Sequence, residues 1–368
     1  MGREFGSAAA RWCHLLQTEA RPEIVAVCDA NPGATQWFTD NFNVTQITAD
    51  YRELLANPDV EAVYCAVPHN LHEQIYCDII SAGKHLLAEK PFGIDLAAAE
   101  KILACAQEHP QVLVRCSGEF PYFPGARRIF HHAEAGDFGE IIEVRAGFLH
   151  SSDLDPSKPI NWKRKIATCG EYGCMGDLGM HILHVPLRLG WSPINVRALL
   201  SNIVKTRPDG KGGISDCETW DNAILACETS QGFPMVLETK RISPGDMNTW
   251  YLRVLGTQMS AEFSTKDPKL IRTMPFAPGS AQAWRHEDVG YESAYPTLTG
   301  GIFEFGFSDA ILQMWAAFVD ELTHGDGMDG DFRCATPEEA LGSHHLFTAA
   351  LESQRTGMTV KVADGSHG

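Results

Sequence analysis

Across residues 1–116, short apolar runs alternate with helix-patterned stretches, and this alternation restricts the chain to few folds. Residues 24–28, 60–67, 84–88 and 112–116 read as buried strands. Helical patterns over 8–18, 33–42, 51–56, 71–82 and 96–108 separate them. Strands and helices alternating at this spacing predict βαβ units and a parallel, doubly wound sheet, an α/β class of fold.

The pattern changes near Gly118. A helix is predicted over 127–135 and a strand over 141–149. Strand-like segments at 196–204, 223–229, 235–242 and 250–254 follow, separated by Gly, Pro and Asp turns rather than helices, which favours antiparallel or mixed pairing. Helices over 307–322 and 337–354 close the chain, the second ended by Gly357. Residues 275–301, rich in Gly, Pro, Ala and Ser, read as a long loop, a lid or an interface arm. A chain of 368 residues suits two domains, here 1–120 and 121–368, the second an α+β unit with an open, largely antiparallel sheet.

Charge narrows the partners. Thirty Lys and Arg against 47 Asp and Glu leave a net charge of −17, which repels phosphate backbones, and no basic run suited to nucleic acid or an anionic membrane is present. No apolar stretch is long enough for a membrane span. Eleven scattered cysteines, none in CxxC, read as reduced thiols in a cytoplasmic protein. Small molecules are the expected partners.

Candidate chemistry collects at predicted strand ends. Gly2 and Gly6 flank Arg3, Glu4 and Phe5 before a helical stretch, and Asp29 ends a strand. Backbone N–H groups at such a turn can approach a pyrophosphate, and a strand-end acid can bind a ribose 2′-hydroxyl; Asp29 without a following Arg favours NAD over NADP. Pro68, Asn70 and His72 follow the next strand, and Glu89-Lys90-Pro91 the one after. Further on, Asp177 and His181 stand four apart, so on a helix they share a face and the carboxylate can orient and charge-balance the imidazole. Cys174, Asp177, His181 and His184 on that face could instead bind a metal, although no further ligand is evident and no metal is expected.

Together, Asp29, Pro-x-x-x-His at 68–72, Glu-Lys-Pro at 89–91, Asp-x-x-x-His at 177–181, Ala-Thr-Pro-Glu-Glu-Ala at 335–340 and the closing Gly-x-x-Val-x-Val resemble the Gfo/Idh/MocA (glucose–fructose oxidoreductase / inositol dehydrogenase) family over nearly the whole chain. The resemblance implies a Rossmann domain holding NAD, then a substrate domain whose sheet carries a homo-oligomer interface. It implies oxidation of a secondary hydroxyl of a sugar, sugar derivative or cyclitol. Lys90 would polarise the substrate oxygen, His181 would take its proton, and Asp177 would bias His181. Gly2, Arg3, Glu4, Phe5, Asp29, Pro68, Asn70, His72, Glu89 and Lys90 would meet the cofactor.

Two departures bear on the substrate. Gly170-Glu171-Tyr172-Gly173 stands where the family has three glycines, and His184 where it usually has an acid, so Glu171, Tyr172 and His184 are candidates for the pocket wall. Glu119, Trp162 and Lys163 are candidates too, and Pro186 should kink or stop the helix. NAD-assisted glycoside cleavage and a non-catalytic ligand sensor remain as alternatives. In the family a strand and the first glycine precede the position of Gly2. The chain as written is therefore expected to lack one central strand and to bind NAD weakly until upstream residues are added.

Overall fold

The computed structural model describes residues 1–363. Helix α1 (Gly2–Ala10) begins before the predicted helix and takes in both glycines, so the expected glycine-rich turn is helical. Close packing accounts for Gly6: a Cβ there would lie 2.9 Å from Cε1 of Phe38. The chain continues through β1 (Ala26–Cys28), α2 (Pro32–Asn41), β2 (Gln46–Thr48), α3 (Tyr51–Leu55), β3 (Ala62–Cys65), α4 (His72–Ser81), β4 (His85–Ala88), α5 (Leu96–Glu108) and β5 (Val114–Cys116). Local chemistry starts these helices. Asn31, Asp50 and Asp95 each accept a backbone N–H from the first turn of α2, α3 and α5, a contribution of about 1 kcal/mol apiece. The strands pair in parallel, as expected, in two ladders: β1 with β2, and β3–β4–β5. Among the described residues no ladder joins β1 to β3. The Phe5 ring of α1 instead stacks on Tyr64 of β3 with centroids 3.9 Å apart.

The second unit comprises α6 (Pro124–Glu134), β6 (Ile141–Leu149), α7 (Ile166–Cys169), α8 (Cys174–Arg188), β7 (Pro193–Ser201), β8 (Thr206–Pro208), β9 (Ile214–Asp216), β10 (Asn222–Thr229), β11 (Pro234–Lys240), β12 (Thr249–Gly256), β13 (Met259–Ser264), β14 (Leu270–Pro275), β15 (Arg285–Asp288), α9 (Phe307–His324), α10 (Pro337–Thr356) and β16 (Val360–Lys361). Nine strands form one sheet in the order β15-β14-β13-β12-β6-β11-β10-β7-β16. Only β6 and β11 run parallel. The alternating side chains of β10 to β12 bury Leu225, Leu237, Trp250 and Leu252 on the face covered by helices. The opposite face leaves the directly paired Leu199 and Ile224 59% and 38% exposed.

Strand β15 lies inside the segment predicted as a loop. Its residues, Arg285-His286-Glu287-Asp288, are all exposed, so the strand carries no apolar alternation that a sequence could display. Helix α8 runs through Pro186 and stops at Arg188. Proline there removes one intrahelical bond within the last turn, and the Trp191 amide closes that end by donating to the Pro186 carbonyl at 2.8 Å.

The end of the chain returns to the first unit. A capping box joins the Thr336 hydroxyl to the Glu339 amide at 3.2 Å and the Thr336 amide to the Glu339 carboxylate at 2.9 Å, starting α10. The Cys116 amide of β5 donates to the Ala335 carbonyl at 2.8 Å. Ala335, Ala340 and Leu341 complete the apolar cluster beneath β4 and β5. No described helix is long and apolar enough to cross a membrane.

Candidate active site

Strand β4 ends in an apolar run and delivers Glu89-Lys90-Pro91 to the carboxyl edge of the parallel sheet, where open α/β sheets collect ligands. Helix α4 fixes this turn. Tyr76 donates its hydroxyl to the Glu89 carbonyl at 2.9 Å, and the His72 ring nitrogens lie 2.7 Å from the Pro91 carbonyl and 3.0 Å from that of Val67. The Glu89 carboxylate accepts from the Tyr64 hydroxyl, and the Lys90–Pro91 peptide is cis.

Helix α8 faces this edge. Gly173, at φ 56°, makes the sharp entry, because a Cβ there would lie 2.6 Å from the Trp220 amide nitrogen. The helix presents Asp177 and His181 one turn apart, both buried. Lys90 Nζ donates to the Asp177 carbonyl at 2.7 Å and to Oδ1 at 3.1 Å. Lys163 Nζ reaches the same carboxylate at 3.0 and 3.2 Å, and Arg241 donates to Oδ2. Burial opposes ionisation of Asp177, but Arg241, Lys163 and Lys90 overcome it and hold the carboxyl well below its ordinary range. Burial also disfavours the Lys90 ammonium, yet Asp177 and Glu89 raise it above the usual lysine value. The imidazole of His181 is pushed well below its usual range, by burial first and the Lys90 charge second, so it rests neutral.

The ring of His181 stands edge-on between Phe120 and Phe148, with both centroids 5.2 Å away. The carboxylate facing its Nδ1 is Glu119, 3.6 Å off, and Asp177 makes no hydrogen bond to it. The sequence reading of Asp177 as the partner that orients His181 is therefore corrected: Asp177 gathers cations and acts on the imidazole only through space. A chain of buried ions continues beneath, from Arg241 to Asp153, Arg164 and Asp221.

Of the other candidates, Trp162 lies edge-on against His69, with centroids 4.8 Å apart, beside Lys163. Glu171 is exposed, whereas Tyr172 turns away and bonds Thr348 at 2.7 Å, packed on His344 and Phe347. His184 is sealed in the core against Gly118 and Phe332, near Arg188, with its pKa lowered to about 3 by burial and then by that guanidinium. Tyr172 and His184 hold elements together rather than wall a pocket. Cys174 bonds with Thr239 and His184 points to Phe332, so the alternative metal set of Cys174, Asp177, His181 and His184 does not converge. Sequence reasoning missed two residues here, Arg241 just past β11 and His150 just past β6. Burial, against the pull of Asp177 and together with Arg241, Lys163 and Lys90, lowers His150 to about 4. Their only local signal is a polar residue ending an apolar alternating run.

The dinucleotide candidates fall into two groups. The first turn of α1 has no side-chain cap, with Arg3 and Glu4 exposed and Gly2 partly so, and Asp29 and Asn70 are exposed at the ends of β1 and β3, with Pro68 partly exposed. Free helix N–H groups and a strand-end carboxylate fit the pyrophosphate and ribose of a dinucleotide. Phe5, His72 and Glu89 are buried and occupied by Tyr64, by two backbone carbonyls and by Tyr64 again, so they shape the edge from below.

Residues 2–115 match the profile of an oxidoreductase family with an NAD-binding Rossmann fold, and residues 127–262 match a Gfo/Idh/MocA C-terminal domain. A levoglucosan dehydrogenase of Pseudarthrobacter phenanthrenivorans is 26% identical over 53% of this chain and 49% of its own length. A dTDP-3,4-didehydro-2,6-dideoxy-α-D-glucose 3-reductase of Actinomadura kijaniata is 32% identical over 48% of this chain and 52% of its own. The chain thus spans about half the length of these curated relatives. In fold, it superposes on a levoglucosan dehydrogenase in complex with NADH and L-sorbose with a TM-score of 0.89 at 21% identity, covering 99% of this chain and 96% of the other.

Proposed function

We propose, from the premise that this chain belongs to the Gfo/Idh/MocA oxidoreductases, an NAD-binding Rossmann family, that it oxidises a secondary hydroxyl of a sugar, sugar derivative or cyclitol. The observation that carries this reading is the convergence of Lys90, Asp177 and His181 at one strand edge. The ammonium of Lys90 donates to the substrate oxygen and stabilises its developing negative charge, while the neutral imidazole of His181 accepts the hydroxyl proton. Asp177 keeps the Lys90 and Lys163 ammonium groups in place, and Lys163, Trp162 and His150 supply polar and aromatic surface for the remaining hydroxyls. Nicotinamide, when bound, supplies the hydride acceptor. Gly2, Arg3, Glu4, Asp29, Pro68 and Asn70 would hold the dinucleotide.

A 340 nm absorbance screen of sugars, sugar acids and cyclitols with NAD and NADP tests the reading. Turnover is expected with at least one polyol, and kcat/KM with NAD should exceed that with NADP by about tenfold or more, because Asp29 would face the 2′-phosphate without an arginine. Tight NADH binding with no turnover across the panel would instead select a ligand sensor.

The same reading includes assembly through the outer face of the nine-stranded sheet and residence in the cytoplasm. Support for the first comes from Leu199 and Ile224, which pair directly on that face and stay exposed. The double variant Leu199→Glu/Ile224→Glu is expected to move the mass measured by light scattering from a multiple of the chain to a single chain. An unchanged mass would place the interface elsewhere. Eleven unpaired cysteines support a reducing compartment.

A further inference from the structure

The proton acceptor needs a second group, because a neutral imidazole can take a proton at Nε2 only if its other proton sits on Nδ1. Asp177 does not provide this, since both its oxygens are engaged by Lys90, Lys163 and Arg241. Nδ1 of His181 is fully buried and has no hydrogen-bond partner among the described residues. Glu119 Oε2 faces it at 3.6 Å, and the two side chains are only 5% and 6% exposed. No other side chain hydrogen-bonds the Glu119 carboxyl among the described residues. Phe120 and Phe148 fix the imidazole plane, and Trp250 Nε1 donates to the His181 carbonyl at 2.9 Å, so a slight closure would form the bond without moving the helix.

Resting on the reading of His181 as the base, we propose that Glu119 is its positioning residue, whose carboxylate accepts Nδ1–H and thereby leaves the Nε2 lone pair for the substrate hydroxyl. As the substrate O–H bond breaks, its proton binds Nε2, and the imidazolium charge is balanced by Glu119 across Nδ1–H. The proton then leaves to solvent. The nicotinamide that the family binds would supply the acceptor for the carbinol hydride, so charge and atoms balance.

The switch has a direction. Burial first, then the Glu89 charge, raise Glu119 to about 7 against the pull of Lys90. Below that pH the protonated carboxyl donates to Nδ1, the imidazole proton sits on Nε2, and His181 cannot accept. Above it the base is ready. The groups facing Glu119 are Glu89, Lys90 and Tyr64; those facing His181 are Lys90, Asp177, His150 and His184. His150 and His184, lowered to about 4 and 3, stay neutral from pH 5 upward, and Asp177 and Lys90 stay charged.

Long-range proton–nitrogen NMR on the full chain labelled with 15N-histidine, without substrate, reads the tautomer directly, with His181→Gln assigning the signal. The wild type is expected to pass from Nε2–H at pH 6 to Nδ1–H at pH 8 with a midpoint near 7. In Glu119→Gln the tautomer should no longer depend on pH. On a substrate found in the polyol screen, the rising limb of kcat near pH 7 should vanish in that variant, with kcat down on the order of tenfold or more and KM little changed. A single His181 tautomer from pH 6 to 8 in the wild type would overturn the proposal, as would the same midpoint in Glu119→Gln. Failure of the polyol screen alone would strike the dehydrogenase reading and leave the tautomer result standing.

Discussion

Replacing Lys90 by methionine is expected to lower turnover at least about a hundredfold while the protein stays folded. Methionine keeps most of the side-chain volume and removes the charge. Electrostatic donors aimed at a developing oxyanion in a water-poor site contribute about 10²- to 10³-fold in rate. Lys90 is the cation that bonds both the carbonyl and the carboxylate of Asp177, with its side chain only 14% exposed. The fold survives because Asp177, the carboxylate that Lys90 bonds, keeps Lys163 and Arg241. Steady-state rates on the substrate found in the screen, with the urea midpoint as control, check this. NADH binding, followed by fluorescence, is expected to persist. A folded Lys90→Met protein with wild-type kcat would remove Lys90 from the chemistry.

The largest expected effect on stability lies deeper. Arg164 is 1% exposed and joins Asp153 and Asp221, the latter at 2.7 Å. Asp221 also accepts from the amides of Ile203 at 2.6 Å and Val204 at 3.0 Å, so the arginine ties α7's approach to the turn after β7. Removing one member of a buried ion pair leaves its partner desolvated and uncompensated, at a cost of about 3–5 kcal/mol. Arg164→Met should therefore lower the urea midpoint strongly at unchanged slope. Because Asp153 also faces Arg241, which holds Asp177, the same change should loosen the lysine cluster and raise KM. An unchanged urea midpoint would show that water or Arg241 compensates the two aspartates.

The strand ends that carry Asp29, Pro68 and Lys90 are legible in the sequence, because buried parallel strands are near-continuous apolar runs and stop where the chain turns to solvent. The one-turn spacing of Asp177 and His181 is legible for the same reason of periodicity. Their partners are not. Lys163, Arg241 and Glu119 reach α8 from three other segments, and nothing in local spacing says which acid meets which base. Glu119 rather than the i, i+4 residue Asp177 faces Nδ1 of His181, because the i, i+4 rule describes helix surfaces and α8 is buried from Cys174 to Pro186. The glycines at 2 and 6 mislead in a related way. The small size of Gly6 serves packing against Phe38, and a turn needs the same residue for a different reason.

The return of the chain's end to β5 has a consequence for synthesis. The apolar cluster beneath β4 and β5 closes only when Ala335, Ala340 and Leu341 arrive. A ribosome releases the amino-terminal unit first, yet that unit cannot finish its core until nearly the whole second unit has emerged. Domains that complete themselves early can fold in order as they leave the tunnel. This one must wait with its sheet partly bare, and it is in that interval that a growing chain has most need of a chaperone.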